Sequence, residues 1–233
     1  MASLTSVRSR LPAPAARPAR ARRTPPGRRL PTAARRQQII DTARTVFATC
    51  GFRGTTTRAI AEAAGVTEAV IFQHFADKSA LYAAILEQKA TDPADERWFA
   101  ALEAARQTGD DTETLRVLFA GILQQHRADP AHMRLMAYAS LEGHPVAPRL
   151  LARGRRLYNF LEDWITDRQR SGRFRCASPA LLVRATLALP IYYVLQRQLF
   201  KTPWPSVDPQ VVIADGVEVA LAGLVAPAAG AAS

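Results

Sequence analysis

The sequence predicts an all-α protein of about ten helices: an N-terminal three-helix domain built around a helix-turn-helix, followed by a larger helical domain. Three observations predict this. Apolar residues recur at spacings of three and four from about residue 34 to residue 224. Gly, Pro and hydroxyl residues punctuate that pattern at helix-length intervals. Nowhere does an alternating strand pattern run for more than a few residues, and no internal repeat is present. With 233 residues, 48% of them hydrophobic, the chain can bury a sizeable core.

Taken in order, residues 1–33 are Arg, Pro and Ala with almost nothing to bury, and six prolines interrupt them. Such a composition cannot offset the entropy of ordering, so a disordered arm is expected. Helix periodicity then starts abruptly. Ile39, Ile40, Ala43, Val46 and Phe47 form one stripe, and Gly51 ends it. Thr55, Thr56 and Thr57 precede a short helix with Ile60, Ala63 and Ala64 inward, for which Thr57 is the expected N-cap. Gly65 stops that helix. Thr67 is expected to cap the next, with Val66, Val70, Ile71, Phe72 and Phe75 supplying apolar contacts. Asp77 caps a fourth helix that turns Leu81, Ile85 and Leu86 inward.

The remaining helices follow the same logic. Pro93 opens one at its first turn, with Trp98, Phe99 and Leu102 apolar. Residues 112–127 bury Leu115, Leu118, Phe119, Ile122 and Leu123. Pro130 opens another, with Met133, Met136, Ala137 and Leu141. Residues 147–171 carry the cleanest stripe, through Leu157, Leu161, Trp164 and Ile165, closed by Gly172. Ser178-Pro179 is a strong start signal for a helix over 178–200 that Pro190 should kink. The last helix runs over 209–224.

The net charge of +11 is unevenly spread. Residues 1–36 hold ten arginines and no acid, while the rest of the chain is nearly balanced. A cationic arm favours a polyanion, either nucleic acid or an anionic membrane surface. It could equally be a solubilising tail. Its Arg-rich, acid-free composition is also that of organelle transit peptides, but the prolines oppose the amphipathic helix these form. The two cysteines, Cys50 and Cys176, lie far apart, and a reducing cytoplasm is the simpler expectation. The longest apolar run, over 181–195, is interrupted by Arg184, Thr186 and Pro190 and falls short of a membrane span. No membrane partner is expected.

The segment 57–75 is helix, tight turn, helix. In a helix-turn-helix the second helix enters the DNA major groove. With the apolar residues turned onto the flanking helices, that helix presents Thr67, Glu68, Ala69, Gln73 and His74. Gln pairs with adenine, Glu accepts from cytosine, and Ala or Thr methyls touch the thymine methyl. Helix starts at Thr57 and Thr67 aim backbone N–H groups outward, as phosphate binding needs. Lys78 is a further phosphate candidate.

Residues 36–86 resemble the DNA-binding domain of the tetracycline-repressor (TetR) family. The resemblance rests on Ile39-Ile40, Ala43, Phe47, Gly51-Phe52, Thr55-Thr56-Thr57 and Ile60-Ala61, then Ala64-Gly65-Val66-Thr67, Phe72-Gln73-His74-Phe75, Asp77-Lys78 and Leu81. It implies that Thr57 and Arg58 open the second helix near the DNA backbone. It further implies that Thr67, Glu68, Ala69, Val70 and Gln73 face the groove, and that His74 and Lys78 touch phosphate. Phe72 and Phe75 match core positions. Glu68 departs from the small or basic residue common in the family. An acid there repels phosphate, so it either reads a base or faces solvent.

Composition and periodicity set off an arm (1–33) from a DNA-binding domain (34–89), and the resemblance implies that the rest is an effector-binding and dimerisation domain (90–233). The last two long helices would pair with a second copy through Leu182, Ala185, Leu189, Tyr192, Tyr193 and Gln196. The partners implied are a palindromic double-stranded operator, a second copy, and an apolar or aromatic small molecule. Trp98, Phe119, Leu123, His126, Met133, Met136, Tyr158 and Trp164 are its candidate contacts, although each fits plain core as well. Arg149, Arg153, Arg155 and Arg156 could hold an anion but fit a solvated helix face better. His126, His132 and His144 lack metal spacing, neither cysteine has a metal-ligand neighbour, and no nucleophile set or phosphate-cradling Gly loop stands out. No cofactor, metal or enzymatic activity is expected. The expectation is a bacterial cytoplasmic, nucleoid-associated repressor released by an effector. The alternative is an architectural nucleic-acid binder driven by the arm.

Overall fold

In a computed structural model the described residues are 31–90, 93–145, 147–200 and 206–226, excluding the side chains of 89, 90 and 147–153. The expected disordered arm lies outside them, apart from its last few residues. Helices occupy the places the periodicity assigns. They are α1 (Thr32–Cys50), α2 (Thr57–Ala64), α3 (Glu68–His74), α4 (Lys78–Ala90), α5 (Pro93–Thr108), α6 (Asp111–Ala128), α7 (Pro130–Leu141), α8 (Ala147–Arg170), α9 (Pro179–Leu195) and α10 (Pro209–Leu224). A π-helical turn, Gln196–Phe200, continues α9. Among the described residues the one β interaction is an isolated bridge between Phe174 and Val225, which ties the end of α10 to the turn after α8.

Two apolar cores form. The first joins α1–α4 around Ile39, Ile40, Phe47, Ile60, Ile71 and Tyr82. It also takes in Leu135 and Ala139, so α7 docks onto the N-terminal helices although it follows them by two helices in the chain. Polar contacts reinforce that docking. Tyr82 Oη donates to the Leu135 carbonyl at 2.8 Å, and Arg44 pairs with Asp129 at 2.9 Å. Asp129 also caps α7 by accepting from the His132 amide. The second core joins α5, α6, α8, α9 and α10 around Leu102, Leu118, Phe119, Trp164, Ile165 and Val183.

Glycine decides two of these contacts. Gly121 of α6 lies so close to the Trp98 indole that a Cβ there would fall 1.8 Å from Nε1. Trp98 in turn donates to the Val117 carbonyl at 3.0 Å. Gly65, at φ 66° and ψ 33°, is the left-handed stop of α2, and the Val66 amide reaches back to the Ala61 carbonyl at 3.0 Å.

Several expected inward residues are placed otherwise. Ala61 and not Ala63 is buried in α2, and Leu141 at the end of α7 is 84% exposed. The helix expected over 178–200 forms, but the expectation that its apolar run falls short of a membrane span does not hold. With the π turn it reaches 22 residues, Pro179–Phe200, long and apolar enough to cross a membrane. In this fold it buries Leu182, Val183, Thr186, Pro190 and Val194.

Candidate nucleic-acid interface

The α2–turn–α3 unit sits on the first core through a few contacts. Ile60, Ala61 and Ala64 of α2 are buried, as are Ile71 of α3 and Phe75 just after it. Val66 and Val70 pack half-buried against the same core. The helix caps differ from expectation. Thr56, not Thr57, caps α2: its side chain accepts from the Ala59 amide at 3.1 Å. Thr67 stands at the N-cap of α3 with no side-chain cap bond, leaving its hydroxyl exposed. Asp77 Oδ1 accepts from the Ala80 amide at 2.7 Å and starts α4 as expected.

Freed from capping, Thr57 donates its Oγ1 to Glu68 Oε2 at 2.6 Å. This bond ties the start of α2 to the start of α3 and gives the acid at 68 a partner within the protein. Arg58 is exposed and pairs with Glu62 at 3.0 Å. Lys78 is turned inward. Its Nζ donates to the carbonyls of Phe52 and Thr55, both at 2.8 Å, and lies 4.3 Å from the Phe52 ring centroid. The ammonium thus clamps the loop between α1 and α2, where an extended phosphate-binding side chain was expected. Arg36, the last arginine of the basic N-terminal stretch, lies over the Phe75 ring at 4.9 Å, beside the end of α3.

Residues left facing outward on α3 are Ala69, Phe72 and Gln73, with Thr67 just before them. Phe72 corrects the sequence expectation: it is 49% exposed, not core. The reason is angular. Successive helix positions turn by about 100°, so the neighbour of buried Ile71 falls on the flank of the helix. A helical projection centred on Ile71 would have found it. Val70 falls on the opposite flank and packs on the core, and His74 is half-buried beside Phe75.

The interface is anchored to the rest of the molecule at its back. Gly143, in the left-handed region at φ 65°, ends α7, and the His144 amide reaches back to the Ala139 carbonyl. His144 thereby drops into the first core. Its ring meets Phe52 edge-on at 4.5 Å, and Nε2 lies 3.1 Å from Ser79 Oγ. Burial pushes its imidazole below the ordinary value of 6.5, with Glu142 acting weakly in the opposite sense. Burial, helped by Glu142, raises the Tyr82 phenol, which stays a protonated donor to α7. Glu142 Oε2 accepts from the Arg53 amide at 3.1 Å.

In the larger domain the candidate effector contacts separate into two groups. Phe119, Leu123 and Trp164 are core residues, Trp164 packing edge-on against Phe174 at 5.2 Å. Trp98, Met133, Met136, Tyr158 and His126 are half-buried. Tyr158 Oη donates to the Ala180 carbonyl, and His126 Nδ1 lies 2.7 Å from the Ile122 carbonyl. Of the arginine set, Arg156 is taken by Glu96 and the Phe99 ring, Arg155 is exposed, and the side chains of Arg149 and Arg153 lie outside the described residues.

The candidate pairing surface is also redrawn. Leu182 is buried in its own monomer's core. Leu189 lies against α10 at Gly216, and Tyr193 Oη donates to the Val207 carbonyl. Gln196 is half-buried, and Ala185 and Tyr192 face outward. They are joined by Leu181 on α9 and by Val211 and Val219 on α10, all exposed.

A short helix-turn-helix with an outward second helix, carried on an all-α molecule, defines the class of helix-turn-helix DNA-binding proteins. Comparison with known proteins narrows it. Residues 39–85 match the family described as bacterial regulatory proteins, tetR family. The N-terminal helix-turn-helix domain is thus of the TetR-family type. It is 45% identical over 56 residues to the HTH-type transcriptional repressor Rv1474c of Mycobacterium tuberculosis, a match covering 24% of this chain and 30% of that one. It is 36% identical over 90 residues to the HTH-type transcriptional activator FasR of Mycolicibacterium smegmatis, covering 39% of each. The chain thus matches about a third of the length of these curated relatives. Among solved structures, the ketosteroid transcriptional regulator KstR2 of Mycobacterium tuberculosis aligns with a TM-score of 0.63 at 21% identity, over 83% of this chain and 96% of that one. AibR, solved with isovaleryl coenzyme A and operator DNA, aligns with a TM-score of 0.60 at 18% identity, over 79% and 97%. At these identities the structural likeness speaks for the fold.

Proposed function

We propose that this chain is a dimeric, sequence-specific DNA-binding transcriptional repressor that leaves a palindromic operator when a small molecule binds in its larger domain. One observation carries the reading. The outward face of α3, with Ala69, Phe72 and Gln73 and with Thr67 at its start, is exposed and held at a fixed angle by a sealed core beneath and by the Thr57–Glu68 bond. A rigid helix with free side chains matches what major-groove reading requires. Thr57 and Arg58 would lie beside the DNA backbone, and His74 at the rim.

Dimerisation is supported by the exposed apolar face that Leu181, Ala185 and Tyr192 make beside Val211 and Val219. A second copy would cover it. Two recognition helices then require half-sites about 34–36 Å apart, hence a palindrome. The half-buried Trp98, Met133, Met136 and Tyr158 favour an apolar or aromatic effector. AibR, a fold neighbour, binds both operator DNA and an acyl-coenzyme A, and Rv1474c is a repressor. The protein would act in the bacterial cytoplasm, at the nucleoid, by binding and not by turnover. We divide it at residues 33 and 89 into arm, DNA-binding domain and effector domain, with α7 bridging the last two. An effector works only through different affinity for the DNA-bound and released conformers.

The test is footprinting of the full chain on the DNA flanking its own gene at moderate salt. Protection of an inverted repeat is expected. Binding without any protected repeat would overturn the reading.

A further inference from the structure

Resting on α3 as the base-reading helix, its chemistry specifies which bases it can read. Guanine is normally taken by two N–H donors from Arg or Lys, and cytosine by a carboxylate. Among the described residues, neither stands free on α3. Residues 67–75 contain no Lys or Arg. The cations nearest in the fold are engaged elsewhere: Arg58 with Glu62, Lys78 with two loop carbonyls, and Arg36 over the Phe75 ring. The single acid, Glu68, holds Thr57.

What α3 does present is apolar with one amide. Ala69, Phe72 and Gln73 stand at i, i+3 and i+4, and so form one contiguous patch. Phe72 is its largest member, and at 49% it is the exposed ring of this domain, where Phe47, Phe75 and Tyr82 are at most 5% exposed and Phe52 is half-buried. Beside Ala69, the half-exposed ring offers apolar surface whose burial against a groove partner would be favourable. On the major-groove edge of DNA the apolar feature is the thymine 5-methyl group, and the base that pairs two-fold with a glutamine amide is adenine. Charge tells the same story: with the arm set aside, residues 37–89 carry five basic and five acidic side chains, so discrimination must come from contacts and not from field.

We propose that Phe72, with Ala69, packs on thymine methyl groups and Gln73 pairs with adenine, so that the core of each half-site is built of A·T pairs and Phe72 is its chief specificity determinant. The Thr57–Glu68 bond has a positioning role here, since it fixes the approach of the patch to the groove.

The experiment selects bound duplexes from a randomised pool with the full-length protein, then replaces thymines of the enriched half-site by deoxyuridine. That change removes the methyl and keeps the base pair. An A·T core is expected, with affinity falling about three- to tenfold per half-site on methyl removal. Phe72→Ala should bind the thymine site about tenfold or more weakly and no longer distinguish thymine from deoxyuridine, while Phe72→Leu retains part of the difference. Because the ring is outside the core, both variants should keep the melting temperature of the parent, which a melt checks. A G·C core, unchanged affinity on deoxyuridine, or full discrimination by Phe72→Ala would each overturn the proposal and leave the regulator reading standing. Failure to enrich any sequence would overturn the regulator reading itself, and this proposal with it.

Discussion

At the scale of single residues, three side chains carry consequences that their types alone would not suggest. Lys78 neutralises two loop carbonyls, one of them from buried Thr55. Lys78→Met keeps the stem and strands those acceptors, so chemical denaturation should show a loss of about 2 kcal/mol. A phosphate contact would give the contrary result: unchanged stability and a salt slope of binding shallower by about one unit. Gly121→Ala gains about 1 kcal/mol of helix propensity but drives a methyl into the Trp98 indole. Overpacking costs about 1–3 kcal/mol, so a net loss is expected, with a change in tryptophan fluorescence as the ring leaves the Val117 carbonyl. His144 is buried neutral with its pKa below 6.5. The unfolded state therefore binds the proton more readily. The contribution of His144 is complete above pH 6.5 and is lost as pH falls below it. Melting temperatures taken from about pH 7.5 down to about pH 5.5 should drop more steeply for the parent than for His144→Asn.

At the scale of elements, the cap of α2 and the seating of α7 matter most. Thr56 accepts from the Ala59 amide, so Thr56→Ala should cost about 1 kcal/mol in a denaturation curve. Thr57→Ala should cost less stability but weaken DNA binding, because it frees Glu68 and the α2–α3 angle. The α7 helix is pinned to the DNA-binding helices by Asp129 at its start, Leu135 in its middle and Glu142 and His144 at its end. It also packs against α6, α8 and the π turn, whose Gln198 carbonyl accepts from Arg134. Displacement of the π turn would therefore reach the first core through α7, a packed chain of contacts between the two cores.

At the scale of the whole molecule, the outward faces of α9 and α10 and the arginine-rich N-terminal stretch each carry a testable expectation. Val219→Glu together with Leu181→Glu places acids on the exposed apolar face. Sedimentation is expected to report a dimer for the parent and a monomer for this variant, with operator affinity reduced because half-sites can no longer be bound together. Removal of residues 1–30 takes away eight arginines. Binding to all DNA should weaken together and its salt slope become shallower, with the preference for the operator kept. Loss of that preference would assign the reading to the arm.

The sequence by itself determined the all-α class, the place of nearly every helix and the helix-turn-helix. The reason is that the 3.6-residue period and its Gly and Pro punctuation are local properties of the chain. It also identified Ala69 and Gln73 as outward, since both lie opposite Ile71 on the helix. Tertiary structure decided the rest. Lys78 turned inward because the carbonyls of Phe52 and Thr55 come within reach only when the loop folds over α4. Glu68 became a tie because α2 and α3 meet at their starts. Phe72 is the exception, since its place on the flank of the helix beside Ile71 is legible in the helical period. Leu182 went into the core, and Leu181 out, because the face α9 buries is set jointly by α6, α8 and α10, of which α6 is distant in sequence. Side-chain partners of that kind depend on which elements pack together, and no local pattern encodes that.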